Sequence, residues 1–219
     1  SWRQGGKTYT WTGFSGDDKL GYVYVPLSAP TNDNYGGLRP GDNLYGDSLV
    51  AIDVKTGKRV WHFQTVHHDL WDYDIPAPPI LADIKVNGRL RKAAIQVTKT
   101  SYVFAFDRAT GEPLFPIVET AVPASTVPGE KAARTQPIPA KPAPFDRQGV
   151  SEDALIDFTP ALRAEAVKIM NRFTVGGIFT PPTVKGGLID VPDRPGMGVN
   201  FNVKEARKHL TEGDANFFD

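Results

Sequence analysis

LVAIDVKTGKRVW (Leu49 to Trp61) returns later in the chain as VFAFDRATGEPLF (Val103 to Phe115), and the two superimpose position for position. Both carry A-x-D-x-x-T-G, followed four residues on by an aromatic ring. Asp53 and Asp107 are placed to accept backbone N–H bonds within a turn. Gly57 and Gly111 are placed to take the positive φ that such a turn needs. Each unit is therefore expected to be a hairpin. Trp61 and Phe115 then fall at the same point of the following strand, where a large ring can be buried against the next unit. Repeated hairpins with periodic glycine and aromatic signals suggest a β-propeller. Two copies alone also fit unrelated hairpins in another β fold.

Around these units lie further short runs rich in β-branched and aromatic residues. They are Gly21 to Pro26, Ser48 to Asp53, Arg59 to Val66, Lys92 to Thr98, Tyr102 to Asp107 and Gly186 to Val191. Their length suits strands and not helices, so the chain reads as mainly β. From Pro116 to about Pro144 repeated prolines predict an extended surface excursion that joins no central strand. One helix is expected, starting near Thr159-Pro160 with threonine as cap and proline in the first turn. Leu162, Ala166, Ile169 and Met170 form its apolar stripe. Val203 to Leu210 carries a weaker helical pattern. Asn34 to Ser48 is a glycine-rich loop without a phosphate-binding signature.

The chain has 219 residues, enough for a buried core. Its 25 basic and 25 acidic residues cancel, which argues against a nucleic-acid footprint or a polybasic membrane patch. Small-molecule chemistry or protein contact fits better. With no cysteine there is no disulfide, thiolate metal site or cysteine nucleophile, so any metal must sit on oxygen or imidazole. No apolar run approaches the ~18 residues of a membrane span. There is no signal-like start, and SWRQGG opens the chain without methionine, as in a mature product or an internal piece.

The stretch TVHHDLWDYDIP (Thr65 to Pro76) concentrates two histidines, three aspartates, a tryptophan and a tyrosine. A carboxylate in a dry pocket needs a cation or a donor beside it. Asp69, Asp72 and Asp74 would suit an oxygen-loving ion such as Ca²⁺, although one loop supplies only part of its shell. Adjacent His67 and His68 would point to opposite faces of a strand and so do not make a zinc pair. The competing reading is a packed tryptophan in a loop whose aspartates cap turns.

The stretch GDSLVAIDVKTGKRVWHFQTVHHDLWDYDIPAPP resembles the quinoprotein alcohol and sugar dehydrogenases that use pyrroloquinoline quinone (PQQ), in particular the membrane-type glucose, quinate and polyol branch. The resemblance runs from about Trp11 to Pro182 and includes GGIFTPPTVKGGL (Gly176 to Leu188). It implies an eight-bladed all-β propeller locked by the docking repeat, of which this chain supplies about three blades. Residues 1–192 would be the partial propeller, with residues 116–173 as a proline-rich insertion plus helix. Residues 193–219 form a tail that does not continue the family's pattern.

Roles transfer only where residues match. The resemblance implies that Asp72 is the catalytic base, taking the substrate hydroxyl proton as hydride passes to the quinone. It makes Lys99 the basic residue that contacts the quinone oxygens, and Trp11 the floor beneath the planar cofactor. The family's Ca²⁺-type ion is held by the quinone, a glutamate from an earlier blade and an asparagine before the glycine-rich loop. In simple register Ala29 or Pro30 occupies the asparagine position, and Asn32 reaches it by a shift of two or three residues. Asp74 resembles the extra carboxylate of lanthanide-using enzymes. The implied metal ligands are thus Asn32, Asp72 and Asp74, for Ca²⁺ or alternatively a lanthanide or Mg²⁺. The resemblance further implies an alcohol, polyol or sugar substrate and a membrane quinone or cytochrome c as electron acceptor. It places the protein in the periplasm, with any membrane association through parts outside this chain, and requires the remainder of the propeller. Two alternatives stand beside it: a non-catalytic propeller scaffold that kept the repeats, and a Ca²⁺-stabilised binding module without quinone.

Overall fold

Short runs rich in β-branched and aromatic residues form antiparallel strands, and the computed structural model describes residues 7–183 and 207–209. By internal contacts the chain divides into Ser1–Thr183 and Val184–Asp219. The strand expected at Gly186 to Val191 lies outside the described residues. So does the tail, apart from a 3₁₀ turn at Arg207–His209 within the stretch expected to be weakly helical.

Strands β1 (Ser15–Asp17), β2 (Tyr22–Pro26), β3 (Ser48–Asp53) and β4 (Arg59–Gln64) form one four-stranded antiparallel sheet in that order. Strands β5 (Ile80–Val86), β6 (Arg89–Val97) and β7 (Val103–Asp107) form a second, three-stranded sheet. Five of the six expected strands are thereby found, the sixth being the one outside the described residues. β5 lies outside the expected runs, although its signal is present: Asn87 and Gly88 both take positive φ, the combination a two-residue hairpin turn demands.

The turn chemistry of the repeat is as expected. Asp53 Oδ1 accepts from the amides of Lys55 and Thr56, Asp107 Oδ1 from those of Ala109 and Thr110, and Gly57 and Gly111 take φ of 66° and 77°. A third turn, between β1 and β2, uses the same device with Asp17 and Gly21. Only the first repeat completes its hairpin. After Gly111 the return arm pairs through a single bridge, Phe106 to Pro113, flanked by the bonds Asp107 N–H to Glu112 O and Leu114 N–H to Ala105 O.

The two sheets are joined by the aromatic residue that ends the first repeat. Trp61 is buried, its ring lies 5.8 Å from Phe106, and its Nε1 donates to Arg108 O at 3.1 Å. Tyr24 Oη donates to the same carbonyl. A Cβ on Gly111 would sit 2.6 Å from Trp61 Cδ2, so the glycine provides both the turn and the seat for the ring. Phe115, its counterpart, is half-buried.

The proline-rich stretch is more ordered than an irregular excursion. Strands β8 (Ile117–Ala121) and β9 (Thr135–Pro139) pair only with each other, so no proline enters a central strand. Ile117, Val122 and Ile138 pack against the core. Helix α1 (Pro160–Met170) begins as expected, with Thr159 Oγ1 accepting from the Leu162 amide and proline at the first position. It buries none of its residues, and its stripe residues Leu162 and Ile169 remain in solvent. Among the described residues no helix is long and apolar enough to cross a membrane.

Candidate functional site

The loop 65–76 leaves β4 and is held in place by its own polar groups. Asp69 is fully buried, and its two carboxylate oxygens accept from the amides of Trp71 (2.8 Å) and Tyr73 (2.6 Å). Arg39 donates to the Asp69 carbonyl at 2.7 Å. Trp71 and Tyr73 stack with centroids 5.7 Å apart, and both meet Phe179 edge-on. Their polar tips donate to the carbonyls of Thr180 and Ile178. The packed-tryptophan, turn-capping reading therefore describes Asp69 and Trp71. His67 and His68 diverge: one nitrogen of His67 lies 3.0 Å from Glu119, while His68 is buried with Nδ1 2.6 Å from Gly41 O.

Asp72 and Asp74 are left for another purpose. With its backbone at φ 61°, Asp72 presents its side chain to the space around Lys99, whose Nζ lies 3.2 Å from Asp72 Oδ2 and 3.2 Å from Asp74 Oδ2. The same ammonium donates to the Asp72 carbonyl at 2.9 Å. Asp74 is anchored on its other side, where Oδ1 accepts from the Ala29 amide at 2.7 Å. Lys99 is carried on the turn between β6 and β7, which Thr98 and Thr100 tighten through their hydroxyls. Trp11 is half-exposed, with the Lys99 ammonium 5.8 Å from its ring centroid. Its segment is laced to Ser28 through Thr8 and Tyr9, beside the Ala29 amide that holds Asp74. Four sequence-nominated residues, Trp11, Asp72, Asp74 and Lys99, thus meet at one place.

Asn32 is not bound into this group. It lies exposed on the bend at residues 31–34, and its side chain makes no hydrogen bond to a described residue.

Burial raises the Asp72 carboxyl above its ordinary range; the bond to Lys99 opposes this, and the charges of Asp74 and Asp33 add to it. Lys99 moves the other way round. Burial alone pulls its ammonium down, but Asp74 and Asp72 more than reverse that, and the net shift is upward. Asp72 is thus a half-exposed carboxylate whose Oδ2 is engaged and whose Oδ1 is free to take a proton.

Beneath the loop lies a buried layer that spacing did not reveal. Asp47 is 1% exposed, neither carboxylate oxygen has a protein partner, and burial together with Asp69 and Asp74 drives its pKa well up. Burial without a bonded partner favours its neutral form. Arg39, also buried, supplies the nearby positive charge. Asp47 and Arg39 stand in the glycine-rich loop, whose composition alone gives no sign of burial.

A planar quinone carrying carboxylates needs an open π face and a fixed cation beside it, and the exposed Trp11 ring with Lys99 at its face fits both needs. Two carboxylates against one ammonium leave a net negative charge, which suits a hard cation. Among the described residues no three His, Cys, Asp or Glu side chains converge into a cage, so these residues fit part of a coordination shell.

The comparisons with known proteins bear on the family and the fold. Residues 1–206 match the family model described as PQQ, glucose/ethanol/alcohol dehydrogenase, beta-propeller domain. The chain is 37% identical over 192 residues to the quinoprotein glucose dehydrogenase of Escherichia coli, covering 86% of this chain and 24% of that protein. It is 36% identical over 194 residues to the glycerol dehydrogenase large subunit of Gluconobacter oxydans, covering 85% of this chain and 26% of the relative. Among solved structures, the quinohemoprotein alcohol dehydrogenase from Comamonas testosteroni superposes with a TM-score of 0.50 at 35% identity, over 63% of this chain and 20% of that one. The chain spans about a quarter of the length of the curated relatives it matches. With the docking repeat, the two packed sheets and the match over residues 1–206, the chain belongs to the PQQ-dependent quinoprotein dehydrogenase family, as part of its β-propeller.

Proposed function

We propose that the chain is the part of a PQQ-dependent dehydrogenase that carries the general base, in an enzyme oxidising a sugar, polyol or related alcohol. Residues 1–192 are the propeller portion, with residues 116–173 as its insertion, and residues 193–219 are a tail of separate character. The observation that carries the reading is the meeting of Asp72, Asp74 and Lys99 within 3.2 Å contacts beside the open face of Trp11.

Asp72 Oδ1 takes the proton of the substrate hydroxyl, its affinity for that proton increased by burial and by the neighbouring carboxylates. Lys99 holds Asp72 Oδ2 and so fixes the orientation of the free oxygen. Its ammonium also serves as donor to quinone oxygens, and Trp11 supplies the stacking face. Asp72 and Asp74, with Asn32 on the bend at residues 31–34, would be the oxygen ligands this chain contributes to a Ca²⁺-type ion, for which a lanthanide or Mg²⁺ is the alternative. When bound, the quinone would supply the hydride acceptor and the ion Lewis acidity. The substrate class follows from relatives named for glucose and glycerol. A membrane quinone or cytochrome c as acceptor, the remaining blades as partner and a periplasmic location belong to the same reading.

The test is a PQQ titration of the purified chain with Ca²⁺, followed by tryptophan fluorescence. Metal-dependent, saturable quenching is expected, with loss in Trp11→Ala. Asp72→Asn should retain binding while alcohol-driven dye reduction falls about 10²–10⁴-fold. Absence of binding by the wild-type chain would instead favour a scaffold that kept the repeats.

A further inference from the structure

Gln136 sits on β9 of the proline-rich hairpin, and its side chain is fully buried. Its Oε1 accepts from the His67 amide at 2.8 Å and its Nε2 donates to the His67 carbonyl at 2.7 Å. A single amide side chain thus does for His67 what a neighbouring strand does in a ladder. The position is critical, because β4 has ended at Gln64 and the chain reverses at His68, whose φ is 44°. Asp72 lies five residues beyond His67 in the same loop.

The hairpin adds other grips. Glu119 on β8 lies 3.0 Å from the ring of His67 and is itself held by Thr135. Between β8 and β9, Glu130 accepts from the Gly36 amide at 2.9 Å, and Tyr35 Oη donates to the Pro128 carbonyl at 3.0 Å. Gly36 in turn lies so close to His68 that a Cβ there would meet its ring at 2.4 Å. One excursion therefore grips both the loop that carries Asp72 and the glycine-rich loop opposite. A surface decoration does not require a buried amide matched to both main-chain groups of a loop residue.

We propose that Gln136 is a positioning residue for Asp72, acting through His67, and that the hairpin is the brace of the site; this rests on the role proposed above for Asp72. Displacement of a reacting group by about 1 Å can cost about 10²-fold in rate, so a brace one turn away from the base matters to the chemistry.

The test measures amide hydrogen exchange of residues 65–76 in the full 219-residue chain, beside PQQ titration in Ca²⁺. In Gln136→Met, which keeps the length and loses both bonds, exchange in this loop should rise at least tenfold with β2–β4 unchanged, and PQQ affinity should fall at least fivefold. Gln136→Glu tests the bonds without a change of shape. Ionised at pH 8 the carboxylate cannot donate to the His67 carbonyl, and the loop should loosen. Burial at this position raises the carboxyl and favours the neutral acid at pH 5, which can do both, and protection should return toward wild type after correction for intrinsic exchange. Wild type at the same two pH values controls for the effect of pH on the loop itself, including that of Asp69, whose pKa burial raises to about 6. Unchanged loop protection in both variants would overturn the proposal, as would a loss spread evenly over both sheets. If the wild-type chain bound no PQQ, the functional reading would fall, while the exchange results would still decide whether Gln136 holds the loop.

Discussion

Asp69 and Asp72 stand three residues apart in one loop, and their surroundings give them opposite tasks. Asp69 is buried and receives two backbone amides; Asp72 is half-exposed and keeps one oxygen free. Burial raises the Asp69 pKa from 3.8 to about 6, against the lowering effect of the Trp71 and Tyr73 amides and of Arg39. Between those two values the folded chain binds a proton that the unfolded chain does not, so this group's contribution to stability falls as pH rises from about 4 to about 6 and is flat above. Thermal melts across that window should show the decline in wild type and lack this component in Asp69→Asn. The variant should also be less stable overall, since one amide side chain cannot accept both N–H groups. At this scale Trp11, Asp72, Asp74 and Lys99 were legible through their likeness to a family pattern. Asn32 was nominated by register and stands unengaged on its bend. Asp47, Arg39 and Gln136 were not legible, because a carboxyl, a guanidinium and an amide in loops or edge strands look solvent-exposed until something folds over them.

The turns are the elements whose chemistry was most readable. The D-x-x-x-G spacing recurs at Asp17, Asp53 and Asp107, and each aspartate caps its turn through Oδ1. Two of the glycines differ in their surroundings. A Cβ on Gly57 meets nothing, whereas one on Gly111 would strike the Trp61 ring. Gly57→Ala should therefore lose only the backbone component, about 1 kcal/mol or somewhat more. Gly111→Ala adds overpacking of the docking ring and should lose about 2–4 kcal/mol in total. Urea midpoints for the two variants measure the difference, and equal losses would mean that the ring does not depend on that seat. Strands β2, β3, β4, β6 and β7 were visible as apolar runs. β8 and β9 were not, since Pro137 and Pro139 argue against a strand; the hairpin tolerates them because it pairs on one edge only.

Across the described molecule, the first sheet meets the second through Trp61 on the turn of the second repeat, and the same second sheet carries Lys99 to the loop that leaves the first. The site is therefore built between consecutive blades, and a ligand bound there should stabilise both. PQQ with Ca²⁺ at about a hundred times its dissociation constant should add about 2.7 kcal/mol to unfolding, seen as a rise in Tm that EDTA removes. An unchanged Tm under saturating ligand would count against a site between blades. The sequence by itself determined the β class and the repeated turns, because these depend on periodicity, spacing and local backbone demands that neighbouring residues carry, whereas Trp11, Asp72, Asp74 and Lys99 were nominated by likeness to a family pattern. Only the tertiary structure decided that one ammonium is shared by two carboxylates 25 and 27 residues away, that Asp47 is buried with neither carboxylate oxygen partnered, and that a proline-rich excursion grips the loop through Gln136. Those facts depend on what is buried beside what, and burial and through-space charge act between segments whose separation along the chain places no constraint on either of them.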